Sequence, residues 1–200
     1  RRRLTFESAD AKAAFEDGFF QGAGVYIADD GRAFAVASIG GRLFRTALEN
    51  FTTEELVIPG TPNNPRKQKA WFCQAETHLV IQDDESRPIL WDGTTVRRAG
   101  DDEVPVGGPM AYGKGRLWVA RGNTYVGGDL VDSTDAGRGT VIKFTENTYI
   151  AEGGAFSVPG KIRAMGFLAN QDSSTGDGGL MVFTLNAATE DDAVEVGRSV

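Results

Sequence analysis

The sequence predicts an all-β fold: a β-propeller-like array of four-stranded antiparallel blades preceded by a short N-terminal helix. Three observations carry this expectation. Strand-turn-strand units recur along the chain, 26 glycines in 200 residues demand many tight turns, and β-branched and aromatic residues come in short runs cut by Asp-Gly, Gly-Gly and Pro-Gly.

The first segment, "FESADAKAAFEDGFFQGAG", places Phe6, Ala11, Ala14, Phe15 and Phe19 near one helical face, with Ser8 or Asp10 available as N-cap. A short helix from about Ala9 to Asp17 follows from that spacing. The period then changes, and from Gly24 onward the chain reads as strands.

"AFAVASIGGRLFRTA" from Ala33 has counterparts in "AWFCQAETHLVIQDD" from Ala70, "MAYGKGRLWVARG" from Met110 and "AMGFLANQDSSTGDGGLMVFTLN" from Ala164. Taking those residues as the starts of leading strands, the intervals are 37, 40 and 54 residues. The first two lie near the period of four-stranded blades, roughly 40 to 50 residues. The third is lengthened by "GGDLVDSTDAGRGT", Gly127 to Thr140, read as a surface insertion between two strands. Further strands are expected in "SRPILWDG", "TTVRRAG", "NTYVGGDL" and "GTVIKFTENT", which completes a meander per unit. A β-sandwich also has short strands and frequent turns, but it does not require a recurring hairpin with the same internal order.

Four hairpin starts give about three units and a fragment, fewer than most propeller rings contain. With an opening "RRRL" and a final "VEVGRSV", the chain is expected to be part of a longer polypeptide, organised as an N-terminal helical segment 1-23 and propeller-like repeats 24-200.

Lys plus Arg number 21 against 28 Asp plus Glu, a formal net charge of -7, so general affinity for phosphate backbones is not expected; Arg1 to Arg3 are a local exception. The single cysteine, Cys73, rules out an intrachain disulfide and a thiolate metal cluster, and fits synthesis in a reducing compartment. With no apolar run of about 18 residues and no leader pattern, the expectation is a soluble, unexported chain.

His78 is the only histidine and is expected as a solvated turn residue, which leaves dyads and ordinary zinc sites without their usual base or ligand. Cys73 alternates with Trp71 on one strand face and is expected as a small buried hydrophobe. The pairs Asp29-Asp30, Asp83-Asp84-Glu85, Asp101-Asp102 and Asp191-Asp192 each fall near a turn and are read as solvated. "NQDSSTGDGG", Asn170 to Gly179, is rich in oxygen ligands but lacks the terminal Glu of an EF-hand loop, so a hairpin tip is expected rather than a cation site. "GKGR", Gly113 to Arg116, joins two strands with no following helix and reads as a hairpin turn, not a phosphate loop. Trp71, Trp91 and Trp118 lie within strand candidates and are expected to pack between blades.

Together "GFFQGAG", "VASIGGRLFR", "AWFCQAETHLVIQD", "PILWDGTTVRRA", "EVPVGGPMAYGKGRLWVA", "YVGGDL" and "KFTENTYIAEGGAFSVP" resemble phage virion structural proteins with β-propeller regions. The nearest functional analogy is the nozzle, or tail tubular, protein of short-tailed phages. The resemblance spans Phe19 to Leu185, and "LNAATEDDAVEVGRSV" departs from a continuing blade. It implies a non-enzymatic tail or neck component that forms a ring around the DNA path. It further implies other virion tail or neck proteins as partners, a homo-oligomer, passive contact with passing DNA and no membrane anchor. Location in the virion after synthesis in the host cytoplasm is implied as well, with no catalytic, cofactor-binding or metal-binding residues to carry over. Acidic side chains facing a channel would repel DNA rather than hold it.

Two other classes are compatible with the same sequence. A carbohydrate- or receptor-binding propeller would expose Trp91 or Trp118 beside acidic groups, and a glycoside hydrolase would bring two carboxylates to about 5 to 9 Å of each other.

Overall fold

A computed structural model describes residues 3–132, 134, 139–145, 155–167, 179–184 and, as backbone, 185 and 193–195. The chain divides into two compact units, Arg1–Ala99 and Gly100–Val200. The described residues are mostly β-strand with one short α-helix, and no closed barrel is formed among them.

In the first unit, β1 (Thr5–Phe6) precedes α1 (Ala9–Asp17), the span expected from the sequence. Ser8 caps the helix: its backbone is extended and its Oγ accepts a hydrogen bond from Ala11 N at 3.0 Å. Ala11, Ala14 and Phe15 pack on a sheet through Ile39 and Phe44. The helix stops at Gly18, where a Cβ would lie 2.5 Å from Ile39 Cγ2. Phe19 falls beyond that stop and is exposed, so it is not part of the apolar helical face on which the spacing had placed it.

The strands β2 (Phe20–Ile27), β3 (Ala33–Ile39), β4 (Arg42–Ala47) and β5 (Thr52–Leu56) form an antiparallel meander, with β1 added parallel to β5. The second sheet is another meander, β6 (Trp71–Ala75), β7 (His78–Gln82), β8 (Ile89–Trp91) and β9 (Val96–Arg98). One face of each sheet alternates Tyr26, Phe34, Val36 and Leu43 or Leu79, Ile81, Ile89 and Trp91, and these side chains merge into one core. β2 lies beside β6 because glycines allow it: a Cβ on Gly24 would sit 2.5 Å from Phe72 Cβ. Gln74 closes the same seam, accepting from Ile27 N and donating to Ile27 O, both at 2.8 Å.

Gln21, buried on β2, accepts from Ser38 Oγ and Gly41 N at 2.8 Å and donates to the carbonyls of Asn64 and Lys67 at 2.9 Å. One amide thereby ties the β3-β4 turn to the connector that leads into the second sheet.

The second unit repeats the plan. β10 (Met110–Gly113), β11 (Arg116–Arg121), β12 (Thr124–Gly127) and β13 (Ala155–Ser157) make a four-stranded meander, and β14 (Ile162–Phe167), β15 (Leu180–Leu185) and β16 (Ala193–Glu195) make a three-stranded one. Ala111, Ala120 and Tyr125 of the first pack with Ile162, Leu180 and Val182 of the second. β10 lies beside β14, where a Cβ on Gly113 would come within 2.5 Å of the Phe167 ring.

The structure departs from the sequence reading in where strands begin and in one expected strand. The hairpin from Ala33 is not a leading pair: β2 leads the first sheet, so leading strands begin at Phe20, Trp71, Met110 and Ile162, spaced by 51, 39 and 52 residues. β2 also starts inside the segment 1-23. The expected strand in "GTVIKFTENT" is instead a 3-10 turn over Gly139–Ile142, with Val141 and Ile142 buried as plugs. Lys143 ends it, donating from N to Thr140 O at 2.9 Å while its side chain is held elsewhere, and β13 supplies the missing fourth strand.

Candidate functional site

Two Asp-Gly turns of the first unit border a cleft of about 220 Å³, lined by Tyr26, Asp29, Asp30, Arg32, Thr77 and Asp92 among others. The β2-β3 turn is fixed by Asp30, whose carboxylate accepts from Arg32 N at 3.0 Å and Arg32 Nε at 2.7 Å. The β8-β9 turn is fixed by Asp92, which accepts from Thr94 N and Thr95 N at 2.8 and 2.6 Å. Tyr26 donates its phenol to Thr77 O at 3.0 Å.

Behind this polar rim stands an aromatic wall. Trp91 packs on Tyr26 at 4.6 Å and on Phe34 at 5.6 Å between ring centroids, and the Arg45 guanidinium lies over Phe34 and Trp91. Arg45 pairs with Glu54, and burial lowers the Arg45 pKa. Burial raises the Tyr26 pKa above its ordinary value, with Asp92, Asp29 and Asp30 adding to the effect. Asp30 moves the other way, lowered first by the backbone N–H of Arg32 and then by its side chain.

A second groove, about 430 Å³, runs between α1 and the β3-β4 turn, with Asp10, Asp17 and Arg42 on its rim. In the second unit, Lys143 Nζ joins Asp102 at 2.9 Å and the buried Glu103 at 3.3 Å, while Glu103 accepts from Gly100 N at 2.7 Å. This clasp lowers the Asp102 pKa and raises that of Lys143. Among the described residues no group of three or more His, Cys, Asp or Glu could hold a metal ion.

His78 opens β7, half-buried, with Nδ1 3.1 Å from Thr77 Oγ1, rather than standing free in a turn. Cys73 is half-buried on β6, with Sγ 3.8 Å from Gln74 O. Asp83 departs from the solvated reading: it is buried and builds the β7-β8 turn by accepting from Glu85 N, Ser86 N and Ser86 Oγ. Lys114 and Gly115 both have positive φ, as a tight hairpin turn requires, so "GKGR" is that turn. Trp91 is fully buried and Trp118 packs on Tyr125 and Phe156, so neither offers the open sugar platform that the carbohydrate reading needs. The Nε1 atoms of Trp71, Trp91 and Trp118 are buried without a hydrogen-bond partner among the described residues. Residues 1–2, 170–178 and 191–192, and with them Arg1, Arg2, most of the oxygen-rich tip and Asp191-Asp192, lie outside the described residues.

The cleft itself was not anticipated from the sequence. Asp-Gly at 30–31 and at 92–93 was visible as turn chemistry, but nothing in the spacing says that the two turns meet.

No family model matches the chain, and no curated protein matches it. Among solved structures, it is similar to the crystal structure of Myxococcus xanthus glutaminyl cyclase, at 12% identity and a TM-score of 0.37, over 82% of this chain and 67% of that one. This corrects the expectation of a non-enzymatic component, because the similarity found is to an enzyme. At that TM-score and identity the likeness brings no activity, substrate or site residue to this chain.

Proposed function

We propose that the four sheets are blades of a β-propeller, and that the chain is a structural component of a bacteriophage virion, a tail, nozzle or neck protein in a ring around the DNA path. One observation carries the architecture. In each unit the leading strand of one sheet lies beside the leading strand of the next, β2 by β6 and β10 by β14, with a glycine of the first seating a phenylalanine of the second. Leading strands that converge on an axis need this economy of side-chain volume.

The virion assignment is supported by the resemblance over Phe19 to Leu185. Its partners are other tail or neck proteins and further copies of the chain, with DNA as a passing cargo. An acidic rim such as that formed by Asp29, Asp30 and Asp92 suits a surface that does not retain a polyanion.

The test is the native mass of the polypeptide by native mass spectrometry, alongside its detection in purified particles. A defined ring recovered from particles supports the assignment. A stable monomer absent from particles overturns it.

A further inference from the structure

The seating of a phenylalanine against a glycine recurs in each unit, and the first and fourth sheets in chain order each carry, on the face opposite the core, a patch left open among the described residues. On the fourth sheet, Gly166 of β14 points to the face opposite the core, and among the described residues nothing lies within 4 Å of where its Cβ would be. Gly24 and Gly113 have that space filled by Phe72 and Phe167. Ala164, Met181 and Phe183 share the Gly166 face, exposed or half-buried.

On the first sheet, the face opposite the core presents the plug. Val25 and Ile27 of β2 are 55% and 56% exposed there, opposite Ala35 and Ala33 of β3. α1 covers the neighbouring part of this face at Ala37, Ile39 and Phe44, and leaves the β2 end open. The borders are complementary in charge: α1 carries Asp10, Glu16 and Asp17 against one Lys12, whereas β14 is entered through the exposed Lys161 and Arg163.

We propose that the open face of β2 and β3, through Val25 and Ile27, docks on the Gly166 face of the fourth sheet in a second copy of this chain. This rests on the blade reading above and deepens it by naming the surfaces through which copies join. Because the two patches differ, the contact is head-to-tail and either closes into a ring or propagates. Two copies supply twice the four sheets of one chain, within the roughly four to eight blades that propellers contain.

The experiment uses the full chain in a Cys73→Ser background. One preparation carries Ile27→Cys and the other Gly166→Cys; they are mixed under mild oxidation, and each is also oxidised alone. The expected result is a disulfide-linked pair in the mixture and none in either preparation alone. In sedimentation, Val25→Glu with Ile27→Glu should lower the association constant of the unlinked chain at least tenfold with unchanged circular dichroism. Arg163→Glu should weaken association, and Glu16→Lys with Asp17→Lys should restore it.

Absence of the mixed disulfide overturns the proposal, as does association unmoved by Val25→Glu with Ile27→Glu. An intrachain disulfide in a dilute chain carrying both cysteines overturns it too, since one chain would then supply both faces. Failure of the ring reading is read separately: a chain absent from particles removes that reading, whereas a particle-bound ring without the mixed disulfide removes only these surfaces.

Discussion

Gly24 and Gly113 set the distance between neighbouring sheets, and neither needs glycine for its dihedral angles, since neither has a positive φ. Space is the reason, so Gly24→Ala or Gly113→Ala should cost about 1–3 kcal/mol through overpacking against Phe72 or Phe167, read as a lower urea midpoint. Gln21→Met tests a different force. It takes this partner from Ser38 Oγ, Gly41 N and the Lys67 carbonyl, while Asn64 O keeps its bond from Lys67 N, and should cost about 1–3 kcal/mol per group left buried and unsatisfied, measured the same way. Neither role was legible in "FFQGAG": the letters announce a flexible or strand-breaking stretch, while what they accommodate, Phe72 and the carbonyls of Asn64 and Lys67, lies over 40 residues away. Asp83 misled for a similar reason, since a carboxylate that folds its own turn is spelled like a solvated one.

Elements were more legible than residues. The α1 boundaries were readable because Ser8 caps the helix and Gly18 ends it, both local signals, and Ser8→Ala should remove about 1 kcal/mol of stability with a loss of helical signal. The hairpins were readable because alternation and turn residues act over a few positions. The failures came where tertiary structure overruled a local pattern. "TVIKF" has strand composition, yet Val141 and Ile142 are buried as a 3-10 turn while Lys143 is pulled to Asp102 and Glu103. Lys143→Met should release that clasp. Its expected signature is faster hydrogen exchange at Phe144 N and Asp129 N, which the same segment bonds to Asp102 O and Lys143 O.

At the scale of the whole molecule, the titrating groups fix how stability varies with pH. Burial raises Tyr26 and Tyr125 above 10.0, and Lys143 is raised above 10.5 chiefly by its bond to Asp102. Each folded-state value exceeds the unfolded one, so this stability is fully present below the unfolded values and is lost as pH rises through the folded ones. Asp30 and Asp102 are lowered below 3.8, so their contribution is present above that value and lost as pH falls through their folded values. Thermal melts followed by circular dichroism should therefore decline on the alkaline side together with tyrosinate absorbance, and Tyr26→Phe should blunt the decline. Each unit also encloses its own apolar cluster, so residues 1–99 expressed alone should keep a cooperative thermal transition. The array of sheets was foreseen because it is written as repetition; the phase of the repeat was not, since β2 is glycine-rich and its outward face is apolar.

The amide of Gln21 also bears on the order of events during folding. Its bonds to Asn64 and Lys67 span 43 and 46 residues, whereas its bonds to Ser38 and Gly41 span 17 and 20. Loop closure should delay the longer pair, so the expected order has the side chain claimed first by its own sheet and capturing the connector afterwards. On that order the second sheet should be recruited to a first already formed, and substitutions at Gln21 should hasten unfolding more than they slow folding, read from the two arms of a chevron plot.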